Sequence, residues 1–422
     1  MTDRAEALRH IGLDYGGVVK VPVPGKPLYL VTHPEFARHV LQRNNKNYRR
    51  SFDYRIVRSL LGDGLITTHD EFWRHARRAV TPCFGREKIR ALTESIIGEV
   101  DRFEQDRLSG HAPVLAGATM SSLSLRMFAR SMLSRDVSPD ESEILGTVSV
   151  ALRHLDRRLV APIDIDAYLP TISGIRFRRA RRRFDEIMHR WIEERLADSG
   201  DRVDLMSVLI DASAHMDDEA RVTWLRDQLA TYLMAGHETV SVALSWCLLL
   251  LHAHPEVQRR AQRECQEQLG EGTPAPEAFQ HLRFTDAVIQ EAMRLYPPVW
   301  SIGRESISAD QLGAAHIPGG ATVMVSPYSL HRHPDYWESP ETFRPERFLE
   351  SQKPTPFTYL PFSAGSRHCI GDHLSRLELR VALAMILRRF RITRPTDETI
   401  GTEALISLRP KPDFQVAFER VA

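Results

Sequence analysis

From about Trp224 to His252 the chain is apolar at most positions, broken briefly at His237-Glu238-Thr239, and this predicts one long, mostly apolar helix. A second stripe, Leu374, Leu377, Val381, Ala384 and Met385, recurs at helical spacing and predicts a helix near the C-terminus. The stretch from about Lys88 to Leu295 is largely helical in pattern. Short β-rich runs stand at Tyr29 to Thr32, Ala321 to Val325 and Phe414 to Phe418. Proline and glycine gather in brief punctuations such as Gly270 to Pro276 and His331 to Pro345, with no long linker, repeat or low-complexity tract. The fold class this predicts is mainly α with small β-sheets.

Composition narrows the picture only a little. The chain has 422 residues, 42% of them hydrophobic, and 56 basic residues against 55 acidic ones, a net charge of +1. Nothing in that balance asks for nucleic acid or an acidic membrane surface. The basic run Arg176 to Arg183 reads as a solvated helix face. No stretch approaches roughly 18 apolar residues, and the polar N-terminus lacks a signal-peptide core, so no membrane span is expected. Four scattered cysteines, Cys83, Cys247, Cys265 and Cys369, fit a reducing compartment and a cytoplasmic location.

The most chemical segment is Phe362-Ser363-Ala364-Gly365-Ser366-Arg367-His368-Cys369-Ile370-Gly371. It enters from Pro361, carries a glycine four residues before the cysteine and another two after it, and runs into the C-terminal helix. A sulfur just ahead of a helix N-terminus, with Arg367 two residues away, is expected to have a lowered pKa and to serve as a metal ligand. No other cysteine stands close enough in sequence for a zinc or iron–sulfur site. One thiolate alone suggests haem, where an axial cysteine favours O–O cleavage.

Phe-x-x-Gly-x-Arg-x-Cys-x-Gly, matched here at every fixed position, resembles the cysteine-loop signature of the cytochrome P450 superfamily. Other marks follow in compatible places. Glu291-Ala-Met-Arg294 is similar to the family's Glu-x-x-Arg pair, whose spacing puts both side chains on one helix face. Pro345-Glu346-Arg347-Phe348 resembles the segment whose arginine completes a Glu291, Arg294 and Arg347 cluster, which in the family braces the core around haem. Met234-Ala235-Gly236-His237-Glu238-Thr239 lies inside the long apolar segment and resembles the family's distal helix. Small Ala235 and Gly236 would leave room for a ligand, and Thr239 can bond back one turn and loosen the helix. The resemblance implies that Glu238 and Thr239 deliver protons to oxygen. Val240 departs from it, standing where the family often has a second Thr or Ser. His237 and Glu238 also begin a His-Glu-x-x-His zinc motif, which Ser241 breaks.

The resemblance further implies haem b as cofactor, held by Cys369 within the loop of Phe362, Gly365, Arg367 and Gly371. Its propionates are assigned to Trp73 and Arg77 of Trp-x-x-x-Arg, to Arg304 and to Arg367. The motifs converge on one cofactor, so residues 1–422 read as a single haem-thiolate domain with the cytochrome P450 fold, a soluble bacterial-type monooxygenase. By analogy, Tyr232, Ala235, Val299, Trp300, Ile302 and Ile406 face the substrate. Their apolar character suggests a small terpenoid, polyketide or fatty-acid-like molecule in natural-product biosynthesis. Without Gly-x-Gly-x-x-Gly or room for a flavin or iron–sulfur domain, electrons are expected from a separate donor, a ferredoxin or flavodoxin type with its reductase. Arg74, Arg78, Arg376 and Arg380 would steer such an acidic donor if they share the proximal face. Two rivals stand beside this reading: a peroxide-driven or rearranging haem-thiolate enzyme, and a non-catalytic haem sensor.

Overall fold

The structure, a computed structural model, describes residues 3–23, 27–110, 112–161, 166, 171–198, 200, 203–351, 353–396 and 398–421. The first helices are α1 (Arg4–Tyr15), α2 (Pro34–Arg38), α3 (Asp53–Leu61), α4 (Asp70–Val80), α5 (Arg86–Ala91) and α6 (Thr93–Phe103). Then come α7 (Ala116–Leu133), α8 (Glu141–Val160), α9 (Ile172–Ala197), α10 (Leu205–Ala212) and α11 (Asp218–Ala253). The last are α12 (Pro255–Leu269), α13 (Arg283–Leu295), α14 (Pro327–Leu330) and α15 (Asp372–Arg389). The strands are short: β1 (Val18–Val21), β2 (Leu28–Val31), β3 (Tyr48–Arg50), β4 (Val114–Leu115), β5 (Ile302–Ser306) and β6 (Asp310–Leu312). They continue with β7 (Ala315–Ile317), β8 (Thr322–Val325), β9 (Phe390–Thr393), β10 (Gly401–Ala404), β11 (Leu408–Lys411) and β12 (Gln415–Arg420). The mainly helical class with small sheets is what the hydrophobic pattern predicts, and β2, β8 and β12 fall on the three β-rich runs.

The central helix α11 starts where the Asp217 side chain accepts from the Ala220 N–H (2.9 Å), with Asp218 and Glu219 beside the positive end of its dipole. It packs on α7, α9, α13 and α15 and is buried around nearly its whole circumference. By length and composition alone it could cross a membrane, but most of its apolar window is buried inside the protein. Its hydrophobicity is that of a core helix. The same core takes the inner face of α15, the second helix expected from the sequence.

A five-stranded sheet in the order β1-β2-β8-β5-β3 covers a second apolar cluster. Only β2–β8 is parallel; the other three pairs are antiparallel, and β3–β5 sets Arg50 directly opposite Arg304. The arginine run of α9 lies on an exposed face, where Arg181 and Arg183 pair with Asp185, Glu143 and Glu186.

The link from core to chemistry is ionic. On α13, Arg294 donates to both oxygens of Glu291 (2.7 and 2.8 Å), and Arg347 Nε donates to Glu291 Oε1 (3.0 Å). All three are buried, as the resemblance implies for this cluster. The remaining guanidinium donors reach the carbonyls of His331, Pro340, Thr342 and Glu338, and the Arg344 N–H donates to Glu291. Burial holds His331 neutral, with its pKa pushed down to about 3. Its Nδ1 bonds to the Arg294 carbonyl while Nε2 accepts from the Leu360 N–H (2.7 Å), just ahead of the cysteine loop. Removing one partner of such a network strands a buried charge, at a cost of about 3–5 kcal/mol. Glu291→Ala should lose about that much stability in urea unfolding, and a loss below about 1 kcal/mol would mean that the cluster is ornamental.

Candidate active site

The cysteine loop closes on a bond from the Cys369 N–H to the Phe362 carbonyl (3.0 Å). Ser363 and Gly365 both take positive φ, 59° and 71°. At Gly365 a Cβ would fall 1.8 Å from the Leu41 carbonyl oxygen, so the position needs glycine for its backbone and for its space. Gly371 stands at the N-cap of α15, close to the Cys369 sulfur.

Cys369 is solvent-accessible by area yet lies deep among protein atoms, which places its sulfur on an internal cleft. Burial therefore raises the thiol pKa above the ordinary value, against the Gly371 N–H and the Arg77 charge, which lower it. This corrects the expectation of a lowered pKa from the helix end and Arg367. Desolvation is the larger effect, and the favourable cation is Arg77.

Across α11, Thr239 Oγ1 donates to the Ala235 carbonyl (2.9 Å), the expected back-bond, but the helix runs unbroken through it. Ala235, Gly236 and Thr239 stay partly accessible in an otherwise buried stretch of the helix. Gly236 does something other than leave room: a Cβ there would lie 2.4 Å from the Phe128 ring, so glycine is what lets α7 approach α11. Glu238 is buried and committed. Its Oε1 accepts from Ser407 (2.7 Å) and from Arg409 Nε and Nη2 (2.9 and 2.6 Å). Burial raises its pKa, but Arg409, His237 and Ser407 together bring it below the usual value. One residue along the same turn, the Ile406 N–H donates to Asp156 of α8 (2.8 Å), so a single turn grips carboxylates from two helices. Sequence reading missed Asp156, Ser407 and Arg409, since no local spacing ties them to Glu238.

The arginines assigned to the propionates divide. Arg367 stacks on Trp73 (3.8 Å) and donates to the Thr68 carbonyl (3.0 Å). Arg304 is buried and donates to its neighbour's carbonyl at Gly303 (2.9 Å). Burial, then the charges of Arg50 and Arg304, push Arg367 down to about 9; burial, then Arg50, push Arg304 down to about 10. Arg77 stands near Cys369 and Tyr232, half-buried, its guanidinium with no hydrogen bond or ion pair among the described residues. Arg50 was not legible as part of this set.

The candidate substrate residues also divide. Ala235, Val299 and Ile406 remain accessible. Tyr232 is buried against Phe84 (6.0 Å), its hydroxyl unpartnered. Trp300 and Ile302 are buried as well. The Trp300 indole donates to the Leu405 carbonyl (2.7 Å) and packs with Ala5, Tyr328, Ala404 and Leu408, while Ile302 packs in the sheet cluster. The proximal arginines need correction: Arg376 is bonded to Asp372 and Arg380 to both oxygens of Asp286. Among the described residues Arg74 and Arg78 carry no such pair, and both are exposed.

A helical core with an exposed cysteine at a helix start, braced by a buried Glu-Arg-Arg cluster, is the arrangement a haem-thiolate protein needs. The Cytochrome P450 family profile matches residues 3–418, and the chain belongs to that family. It is 32% identical over 411 residues to cyclooctatin synthase of Streptomyces melanosporofaciens, covering 95% of this chain and 87% of that one. Cyclooctat-9-en-7-ol 5-monooxygenase of the same organism is 33% identical over 395 residues, covering 91% and 84%. Pentalenene oxygenase of Streptomyces avermitilis is 29% identical over 403 residues, covering 93% and 88%. The chain is a cytochrome P450 monooxygenase, and the family's cofactor is haem b. The residues fit that group: one sulfur offered at a helix start, and arginines gathered with no carboxylate paired to them among the described residues.

Asp156 provides a pH handle. Burial raises its pKa to about 6, and Glu238 adds to this, against the Ile406 N–H, Arg409 and Arg4. A carboxyl whose folded pKa is raised favours the fold while protonated, and that contribution is lost as pH rises through the folded value. Asp156→Asn should therefore gain stability relative to wild type between about pH 4 and pH 7. A difference independent of pH in paired urea titrations would contradict the assignment.

Proposed function

We propose that this P450 inserts one atom of O2 into an unactivated bond of a small terpenoid in natural-product biosynthesis, with electrons from a separate donor. Accessible Ala235, Val299 and Ile406 support an apolar substrate, and relatives named for cyclooctat-9-en-7-ol and pentalenene support the terpenoid class. Residues 1–422 act as one domain in this reading, with a cytoplasmic location and a ferredoxin- or flavodoxin-type donor. Exposed Arg74 and Arg78 would attract an acidic donor of that kind.

Haem b, held by Cys369 with Trp73, Arg304 and Arg367 at its carboxylates, would supply the oxygen-activating chemistry. The chain's own part is proton handling and exclusion of water. Thr239 is the carrying observation: its hydroxyl already spends its proton on the Ala235 carbonyl, so both lone pairs are free to accept from, and orient, an incoming donor. Glu238 is the relay behind it: Arg409 and Ser407 hold it as a carboxylate, so it would first take up a proton from solvent and then pass that proton towards Thr239. The apolar lining keeps other water away, so protons arrive through these groups.

The test is coupling. Thr239→Ala, with a terpenoid that shifts the ferric spin state, should keep reductant consumption within about threefold while product per reductant falls about tenfold and peroxide rises. Unchanged coupling would sink the proton role of Thr239. Full turnover on peroxide alone, without a reductant, would favour the peroxide-driven reading.

A further inference from the structure

We propose that Arg50 is an additional cation of the propionate site, beyond the Trp-x-x-x-Arg, β5 and cysteine-loop residues that the motifs assign. The argument begins with register. Arg50 and Arg304 are direct partners on the antiparallel pair β3–β5, so their side chains share one face of the sheet. Like charges set directly opposite each other destabilise a sheet unless something compensates. Arg367 joins them from the cysteine loop, close enough for both charges to act on it.

No ion pair among the described residues compensates. Among the described residues no carboxylate forms an ion pair with Arg50, Arg304 or Arg367, although the neighbouring Arg49 has its own in Glu305. Asp53 is engaged by the Ser51 hydroxyl and acts on Arg304 only as a lesser influence; Asp70 has the same lesser standing for Arg367. Arg50 itself is aimed rather than loose. Its Nη1 donates to the Tyr54 hydroxyl (2.9 Å) and its guanidinium lies over the Tyr54 ring (4.4 Å). Its Nε is buried with no partner. A buried, unsatisfied donor on a charged group is costly, and three guanidinium groups together make an anion site. The two carboxylates of haem b bring the matching charge, and guanidinium groups bind carboxylates by charge-assisted hydrogen bonds.

The test separates a carboxylate contact from a structural brace by changing the cofactor as well as the residue. Wild type and Arg50→Gln would be loaded with haem b and, separately, with its dimethyl ester, whose propionates carry no charge. Transfer of each to excess apomyoglobin would then be timed. The proposal expects Arg50→Gln to release haem b about tenfold faster than wild type, the two proteins to release the ester at similar rates, and Arg50→Lys to recover most of the retention. Equal haem b release by wild type and Arg50→Gln would overturn it. So would the same acceleration with both cofactors, which is the signature of a residue that only holds the strand in place.

Discussion

Glu291 is the constraint on which the site depends. One buried carboxylate accepts from two guanidinium groups and a backbone N–H, and those guanidinium groups spend their other donors on carbonyls between His331 and Thr342. The ion pair by itself stabilises little once desolvation is counted. Its effect is positional: it fixes an irregular segment to α13, and His331 carries that fixity to Leu360, where the cysteine loop begins. Sulfur placement therefore rests on a charge cluster that touches neither the sulfur nor any substrate.

The second organising feature is charge out of balance. The chain is nearly neutral, yet Arg50, Arg304 and Arg367 are brought together from a strand, a partner strand and a loop with no carboxylate ion-paired to them among the described residues. At Glu238 the opposite holds: its charge is matched by Arg409 and Ser407, and the same turn also grips Asp156. One region is built to await an anion. The other holds a paired carboxylate, and its bonds tie α11 and α8 to the β10–β11 turn.

Much of this could be read from the chain because the chemistry sits in short motifs. The cysteine loop, Glu291 with Arg294, and the Ala235 to Thr239 turn are each contiguous, and α11, α15 and three strands announce themselves by hydrophobic period. What could not be read depends on contacts between distant segments. Arg50 faces Arg304 only once β3 and β5 pair, and Arg409 reaches Glu238 only once the β10–β11 hairpin lies on α11. Trp300 and Ile302 lie in buried apolar clusters, and apolar side chains near a site and apolar side chains in a core have the same sequence signature. The Cys369 thiol went wrong for a related reason. A helix end and an arginine are visible in sequence, whereas the depth of burial that outweighs them is not.

The central claim is that Cys369 presents a thiolate to haem iron, and the optical spectrum of the reduced protein under carbon monoxide tests it most directly. The account predicts a thiolate-type band for the wild type and its replacement by an imidazole-type band in Cys369→His. An imidazole-type band in the wild type, or a thiolate-type band that survives Cys369→His, would contradict it.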